Sequence, residues 1–337
     1  MEILTLSNYS QICCRRVRPI DIKVQGKILA SGSKKVIYAA LIGNFLIAVS
    51  KFTAAAVTGS SAMLSEGIHS LVDTGNQTLM LLGLSRAKKQ PDKLHPFGYG
   101  MEVYFWSFMV AILIFALGSG ISFYEGIHAI QSPTAIKNPN WNYAILSLGL
   151  IFEGWAWSVA YREFRKVIGQ QSLWRAIKRS KDPTIFTVLL EDTAAMLGLL
   201  IALVGISIAQ YYDAPVFDGI ASVLIGILLA SVAIILSIEC KGLLIGESAS
   251  IEVTGKIENI IKSDPGILAV NETLTMHLGP DDILLNISVD FKEEMGANEV
   301  EASTSRLERL IKAEFPQIRR IFIEAQSIAG HRQNLAT

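Results

Sequence analysis

Long apolar blocks fill the first two-thirds of the chain and then stop. Each block is about 20 residues long, the length one helix needs to cross a hydrocarbon core. The pattern predicts six transmembrane helices, over about 36–57, 62–84, 104–124, 142–162, 184–208 and 217–239. Each must be helical, because backbone groups in lipid need partners inside their own segment. After Lys241 the pattern shortens and mixes. Ser250–Ser263 reads as a helix with Ile257, Ile260 and Ile261 on one face. Asn271–His277 and Ile283–Phe291 read as strands joined by a turn over 278–282. Glu299–Glu314 reads as a helix with Leu307, Leu310 and Ile311 apolar, and Arg320–Ala325 as a last strand. The order αββαβ predicts a small α+β domain. The expected organisation is a tail (1–34), a six-helix membrane domain (35–245), a cytoplasmic domain (246–330) and a second tail (331–337).

Composition agrees. Of 337 residues 51% are hydrophobic and only 18% charged, against about 25% charged in soluble domains. Formal net charge is zero, which gives no global attraction to nucleic acid. The distribution of cations says more. Arg15, Arg16, Arg18, Lys23, Lys27, Lys34 and Lys35 precede the first helix. Arg86, Lys88, Lys89 and Lys93 follow the second, and Arg162, Arg165, Lys166, Arg175, Lys178, Arg179 and Lys181 follow the fourth. Between helices three and four there is only Lys137. This asymmetry places both termini in the cytoplasm. The cysteines, Cys13, Cys14 and Cys240, then face a reducing compartment and need no disulfide. The first 34 residues lack the apolar region of a signal peptide; Arg15, Arg16 and Arg18 suit a transit peptide, while Glu2 and Asp21 count against one.

Ionisable residues inside the apolar blocks carry the candidate chemistry. A charged side chain near the bilayer centre costs at least ~2.5 kcal/mol, so it usually faces the protein interior and marks a pathway. Glu66, His69 and Asp73 fall within an arc of about 60° on helix two. Glu191 and Asp192 sit about 100° apart on helix five, on either side of the face marked by Val188. Counting the rise per residue brings both groups to roughly the middle of a ~30 Å core. One imidazole and several carboxylates at one depth suit zinc. A carboxylate-rich version also accepts manganese, iron or cobalt. The same groups take protons when the metal leaves, so exchange of metal for protons is natural chemistry here. The individual readings stay open. Glu66 is a ligand or a gate near the outer mouth. Glu191 is a ligand or faces a basic partner. Glu153 on helix four is a proton relay, a ligand or a helix-bridging acid.

Three segments resemble the cation diffusion facilitator family. The stretch Ser61–Asp73 resembles its HxxxD metal motif, through His69 and Asp73. The loop Asp92–Glu102 is similar to its HPxGHGxxE pattern, and Phe217–Ser222 to the start of its sixth helix. The resemblance spans about 35–328. It implies metal efflux by proton exchange, a homodimer, a ferredoxin-like cytoplasmic domain and a transport site between helices two and five. Carried over, His69, Asp73 and Asp192 match that site. Where the family usually has His or Asp, four residues before the helix-five Asp, this chain has Val188; Glu191 precedes Asp192 instead. That version resembles the branch containing zinc transporter nine of animals. Asp92 and His95 match a second metal position of some members, but Tyr99 stands where another His is common. Glu324 and Gln326 occupy positions where a His and an acid occur in members with a metal cluster, and His277 reads as structural.

The expected function is therefore export of a divalent cation, zinc first, from the cytoplasm in exchange for protons by alternating access. Its partners are the bilayer, the metal, protons and a second copy of the chain. The membrane is a bacterial inner membrane or that of an organelle. The alternative is a non-transporting membrane regulator that keeps the fold, motivated by Val188. No HExxH, GxSxG or P-loop pattern supports an enzyme.

Overall fold

The structure is a computed structural model that describes residues 33–168, 177 and 180–335. The expectations for Cys13, Cys14, the tail 1–32 and most of the basic loop 169–179 lie outside the described residues. The chain divides into two units, Met1–Gly43 and Asn44–Thr337.

Six long helices appear among the described residues: α1 (Ser33–Thr58), α2 (Ser61–Ala87), α3 (Glu102–Gln131), α4 (Asn140–Ile168), α5 (Pro183–Tyr211) and α6 (Val216–Leu244). All six overrun their apolar blocks, because backbone hydrogen bonding continues into the polar residues that flank them. A π-helical segment, Ile114–Ser119, interrupts α3. Among the described residues three helices are long and apolar enough to cross a membrane: α3, the Phe186–Tyr211 part of α5, and α6. The polar side chains of α2 dilute its apolarity, and the fold turns them inward: Ser61, Ser65, Glu66, His69, Ser70 and Asn76 are all buried. Large apolar side chains point out instead, with Phe115, Trp155 and Ile238 each more than half exposed. Apolar side chains facing out over a core that also takes in polar ones are the arrangement of a protein whose solvent is lipid.

Small residues let α3 and α6 touch backbone to backbone. A Cβ on Gly219 would lie 2.9 Å from Ile130 N and 3.0 Å from Gly126 O, and one on Gly226 would lie 3.0 Å from Phe123 N and 3.2 Å from Ser119 O. Ser222 Oγ donates to Ser122 O at 2.9 Å and shares a 2.5 Å hydrogen bond with Ser65 Oγ. That pair fastens α2 to the α3–α6 contact.

The C-terminal part has the αββαβ order that the pattern predicts: α7 (Ile251–Lys262), β1 (Ile267–Gly279), β2 (Asp282–Phe291), α8 (Ala297–Glu314) and β3 (Ile318–Ala325). The sheet order is β1-β2-β3, with β1 antiparallel and β3 parallel to β2. β1 is longer than its apolar pattern, and the hairpin ladder runs on to the pair Gly279–Asp282. Only Pro280 and Asp281 remain for the turn. A further helix, α9 (Ile328–Leu335), covers most of the stretch read as a tail. Ile283, Leu285, Ile287 and Val289 alternate along β2 and are buried, as period 2 requires. They share a core with Ile257 and Ile261 of α7 and Leu307 and Ile311 of α8. The hairpin tip rests on the α2–α3 loop, where a Cβ on Gly100 would overlap Leu278 O. Arg320 stacks over Phe97 at 5.2 Å, and Lys181 pairs with Glu247 at 2.6 Å.

Candidate metal-transport site

The site begins with the start of α2. Gly59 takes φ +72 between α1 and α2, a left-handed turn that glycine adopts without strain. Ser60 then caps α2, accepting from Met63 N at 3.2 Å. Asp218 of α6 closes the cap: its carboxylate accepts from Ser60 Oγ at 2.6 Å, Ser61 N at 2.6 Å and Ser61 Oγ at 3.0 Å. A carboxylate at a helix N-terminus is also favoured by the helix dipole. With its origin and rotation held this way, α2 presents Glu66, His69 and Asp73 to the bundle interior.

His69 and Asp73 meet on one face of the helix, with Nδ1 3.6 Å from Asp73 Oδ1. Both nitrogens of His69 and Oδ1 of Asp73 are buried without a hydrogen-bond partner. Such orphans are rare in folded proteins and call for a reason. Across from them, α5 is capped by Asp182, which accepts from Thr184 N at 3.0 Å, with Pro183 in its first turn. Glu191 is buried and accepts from Asn76 Nδ2 of α2 at 2.9 Å. Asp192 is half-buried. The carboxylates of Glu191, Glu153 and Asp192 all lie within electrostatic reach of Asp73. Trp157 of α4 donates to Thr193 Oγ1 at 3.0 Å and so ties the helix of Glu153 to the helix of Asp192.

Glu66 has a different companion. Lys51 Nζ of α1, itself fully buried, donates to Glu66 Oε2 at 2.9 Å and to Ser70 Oγ at 2.8 Å. Neither Lys51 nor Asn76 stands out in the sequence reading. A signal for Lys51 existed, as a lone cation inside the apolar block 36–57. Asn76 offered none, since a neutral amide on a helix of mixed polarity is unremarkable. Among the described residues no group of three or more His, Cys, Asp and Glu side chains stands close enough to hold a metal ion. The donors line facing helices and are not drawn into one cage.

The loop pair lies elsewhere. Asp92 Oδ1 accepts from the amides of Leu94 at 2.9 Å and His95 at 2.7 Å, and Oδ2 accepts from Tyr99 OH at 2.6 Å. The Tyr99 hydroxyl, with the His95 and Leu94 amides, holds the Asp92 carboxyl down at about 2. His95 stacks on Tyr99 with ring centres 4.3 Å apart. These contacts make a closed loop whose carboxylate already has donors. In the C-terminal part, His277 is buried, with Nδ1 3.4 Å from Gly279 O, and burial keeps its pKa below the ordinary value. Glu324 is exposed and the carbonyl of Gln326 accepts from Asn271 at 2.8 Å.

Comparison with known proteins points one way. Residues 37–245 match the model of the cation efflux transmembrane domain. The chain is 34% identical over 266 residues to the mitochondrial proton-coupled zinc antiporter SLC30A9 of Homo sapiens, covering 78% of this chain and 47% of that protein. It is 31% identical over 285 residues to metal tolerance protein C4 of Arabidopsis thaliana, covering 83% and 61%. It is 30% identical over 209 residues to the manganese efflux system protein MneP of Bacillus subtilis, covering 60% and 65%. The chain thus spans about half the length of the animal relatives it matches. It belongs to the cation efflux, or cation diffusion facilitator, family, on the branch that resembles the SLC30A9 zinc antiporters.

Proposed function

We propose that this chain carries a divalent cation, zinc first, across a bilayer in exchange for protons. The observation that carries the reading is the set of orphaned donor atoms on His69 and Asp73, buried within reach of the acids of α5. Burying them without partners is costly, and a doubly positive cargo offsets that cost. The relatives' names support zinc and protons, and the Bacillus relative keeps manganese in view. His69, Asp73 and Asp192 are the core ligands in this reading, with Glu191 released from Asn76 as a fourth and Glu153 relaying protons. Asp92 and His95 shape the loop. All six helices span the membrane with both termini in the cytoplasm, in keeping with the bias of Lys and Arg. The ion leaves by alternating access, α2 and α5 closing around it from one side and then the other.

The protein works as a homodimer. Leu274, Asn286 and Phe322 align across one face of the sheet and are exposed, which offers a second copy two large apolar side chains on either side of an amide. The host membrane is that of a bacterium or an organelle.

The test is zinc-driven proton flux in proteoliposomes. His69→Ala and Asp73→Ala are expected to abolish flux while the purified variants keep their helical circular dichroism. Unchanged flux in both would defeat the site. A protein that takes up none of zinc, manganese, cobalt and iron would instead be the non-transporting regulator that Val188 suggests.

A further inference from the structure

Lys51 brings a cation into the bundle that the transport reading does not use. Its ammonium is held at two points, by Glu66 Oε2 and Ser70 Oγ. Its stem passes α4 beside Gly149, where a Cβ would be in ordinary contact with Lys51 Cε at 4.0 Å. The carboxylate it grips is seated from the other side as well. A Cβ on Gly198 of α5 would overlap Glu66 Oε1, so a glycine keeps that oxygen's place open. Glu66 Oε1 is buried and accepts no hydrogen bond. Glu66 stands about one turn before His69 on the same stripe of α2. An anionic oxygen without a donor, one turn from His69 on the same stripe, would be drawn toward a cation there unless something held it back.

We propose that Lys51 is a positioning residue that sets how many carboxylates the cargo meets, by holding Glu66 away from the cation at His69 and Asp73. The inference rests on the reading of those two residues as the cargo site. Divalent-cation affinity rises with the number of anionic oxygens in the shell. A transported ion must bind well enough to enter and weakly enough to leave. Lys51 limits affinity in two ways. It occupies Glu66, and its fixed charge repels the ion in a medium where charges are poorly screened. Glu66 is then the partner of a tethered cation, and the ligands come from His69, Asp73 and α5.

The test uses the full chain in detergent and compares Lys51→Met, close in length and uncharged, with Lys51→Met/Glu66→Gln. Zinc binding is read by calorimetry. Cobalt(II) binding is read by its visible absorption band, which weakens as ligands are added to a tetrahedral shell. Lys51→Met is expected to bind zinc about tenfold more tightly and to weaken the cobalt band, and adding Glu66→Gln is expected to reverse both. A parental affinity and cobalt spectrum in Lys51→Met would overturn the proposal and leave Lys51 a structural ion pair. Should Lys51→Met fail to fold, the double variant decides, because it leaves neither charge unpaired. Zinc affinity within about threefold of the parent supports the proposal; a larger loss makes Glu66 a native ligand and overturns it. His69→Ala/Asp73→Ala, run alongside, separates the two failures. Full zinc affinity there sinks the site reading, whereas lost zinc there with an unaltered Lys51→Met sinks only the role of Lys51.

Discussion

The helical part and the C-terminal part of this chain both have apolar cores but differ in the polar groups they admit beside them. In the C-terminal part the interior is Ile, Leu and Val, from Ile257 through Leu285 to Ile311, and its most buried acid, Asp264, is fully served. Asp264 takes four hydrogen bonds, from Gly266 N, Ser303 Oγ and two nitrogens of Arg306. In the helical part large apolar side chains also face out, and beside a core that includes Phe186, Leu199 and Leu229 the interior of α2 holds Glu66, His69 and Asp73 with atoms left unpartnered. Water drives the first arrangement and makes burial of a charged group costly unless it is paired. Lipid removes that drive, so polar side chains can be turned inward and apolar ones outward. The two halves also pack differently. One interdigitates branched side chains, whereas the other presses backbones together through Gly126, Gly219 and Gly226.

The packing contrast has the largest expected effect. Gly226→Leu puts a side chain where a Cβ alone would already lie 3.0 Å from Phe123 N and 3.2 Å from Ser119 O, closer than ordinary van der Waals contact. Backbone cannot swing aside as a side chain does, so the helices must part. We expect a loss of about 3 kcal/mol, at the upper end for overpacking, read as a lower midpoint of thermal unfolding in detergent. Ile287→Val in the C-terminal core should cost only about 1 kcal/mol. If the glycine variant is the milder of the two, the contrast in packing is wrong.

The acids sharpen the comparison next. Asp264→Asn should cost about 2 kcal/mol, moderated because Arg306 is partly in water. Burial alone would raise the Asp264 pKa, but the Gly266 amide, the Ser303 hydroxyl and Arg306 together bring it below the ordinary 3.8. A depressed carboxyl stabilises the fold above its unfolded value and loses that contribution as pH falls through its folded one. Protection of α7 and α8 in hydrogen exchange should therefore weaken below pH 3.8 in the parent, and the Asn variant should lack that step. Asp73→Asn should behave the other way. Metal-free protein should be no less stable, because one of several crowded acids is gone. Its stabilisation by zinc, visible in the parent as a raised unfolding midpoint, should vanish. Equal losses in both variants would mean that Asp73 is structural.

Much of this was readable from residues in order, and the limits are physical. Block length announced the helices, and a period of 2 announced β2. Helix ends were missed by several residues, as at Gln131 of α3, because hydrogen bonding does not stop where apolarity does. Charges inside apolar blocks marked Glu66, His69, Asp73, Glu191 and Asp192 as interior residues, and each is buried or half-buried. Their pairings were hidden, since the joining of Glu66 to Lys51 and of Glu191 to Asn76 depends on how three helices are rotated against one another. Lys51 was legible only as a break in a block. Helix periodicity fixes a face but does not say which neighbour covers it.

The smallest effect belongs to the loop, where a carboxylate stands in water and still has its donors. Asp92 is about half exposed, yet Tyr99 OH and two amides hold its carboxyl at about 2. Tyr99→Phe removes the first of those donors and leaves the ring to stack on His95. The Asp92 pKa should rise toward the ordinary 3.8, read by carbon-13 NMR of the labelled carboxyl. The sign follows from linkage: whatever order Asp92 gives the loop is present above the ordinary value and disappears as pH falls through the folded one, so the variant loses it at a higher pH than the parent. Zinc transport at neutral pH should barely change. A large loss of transport in Tyr99→Phe would mean that the loop acts on the cargo, and the division between acids kept for an ion and acids kept for the fold would have to be redrawn around Asp92.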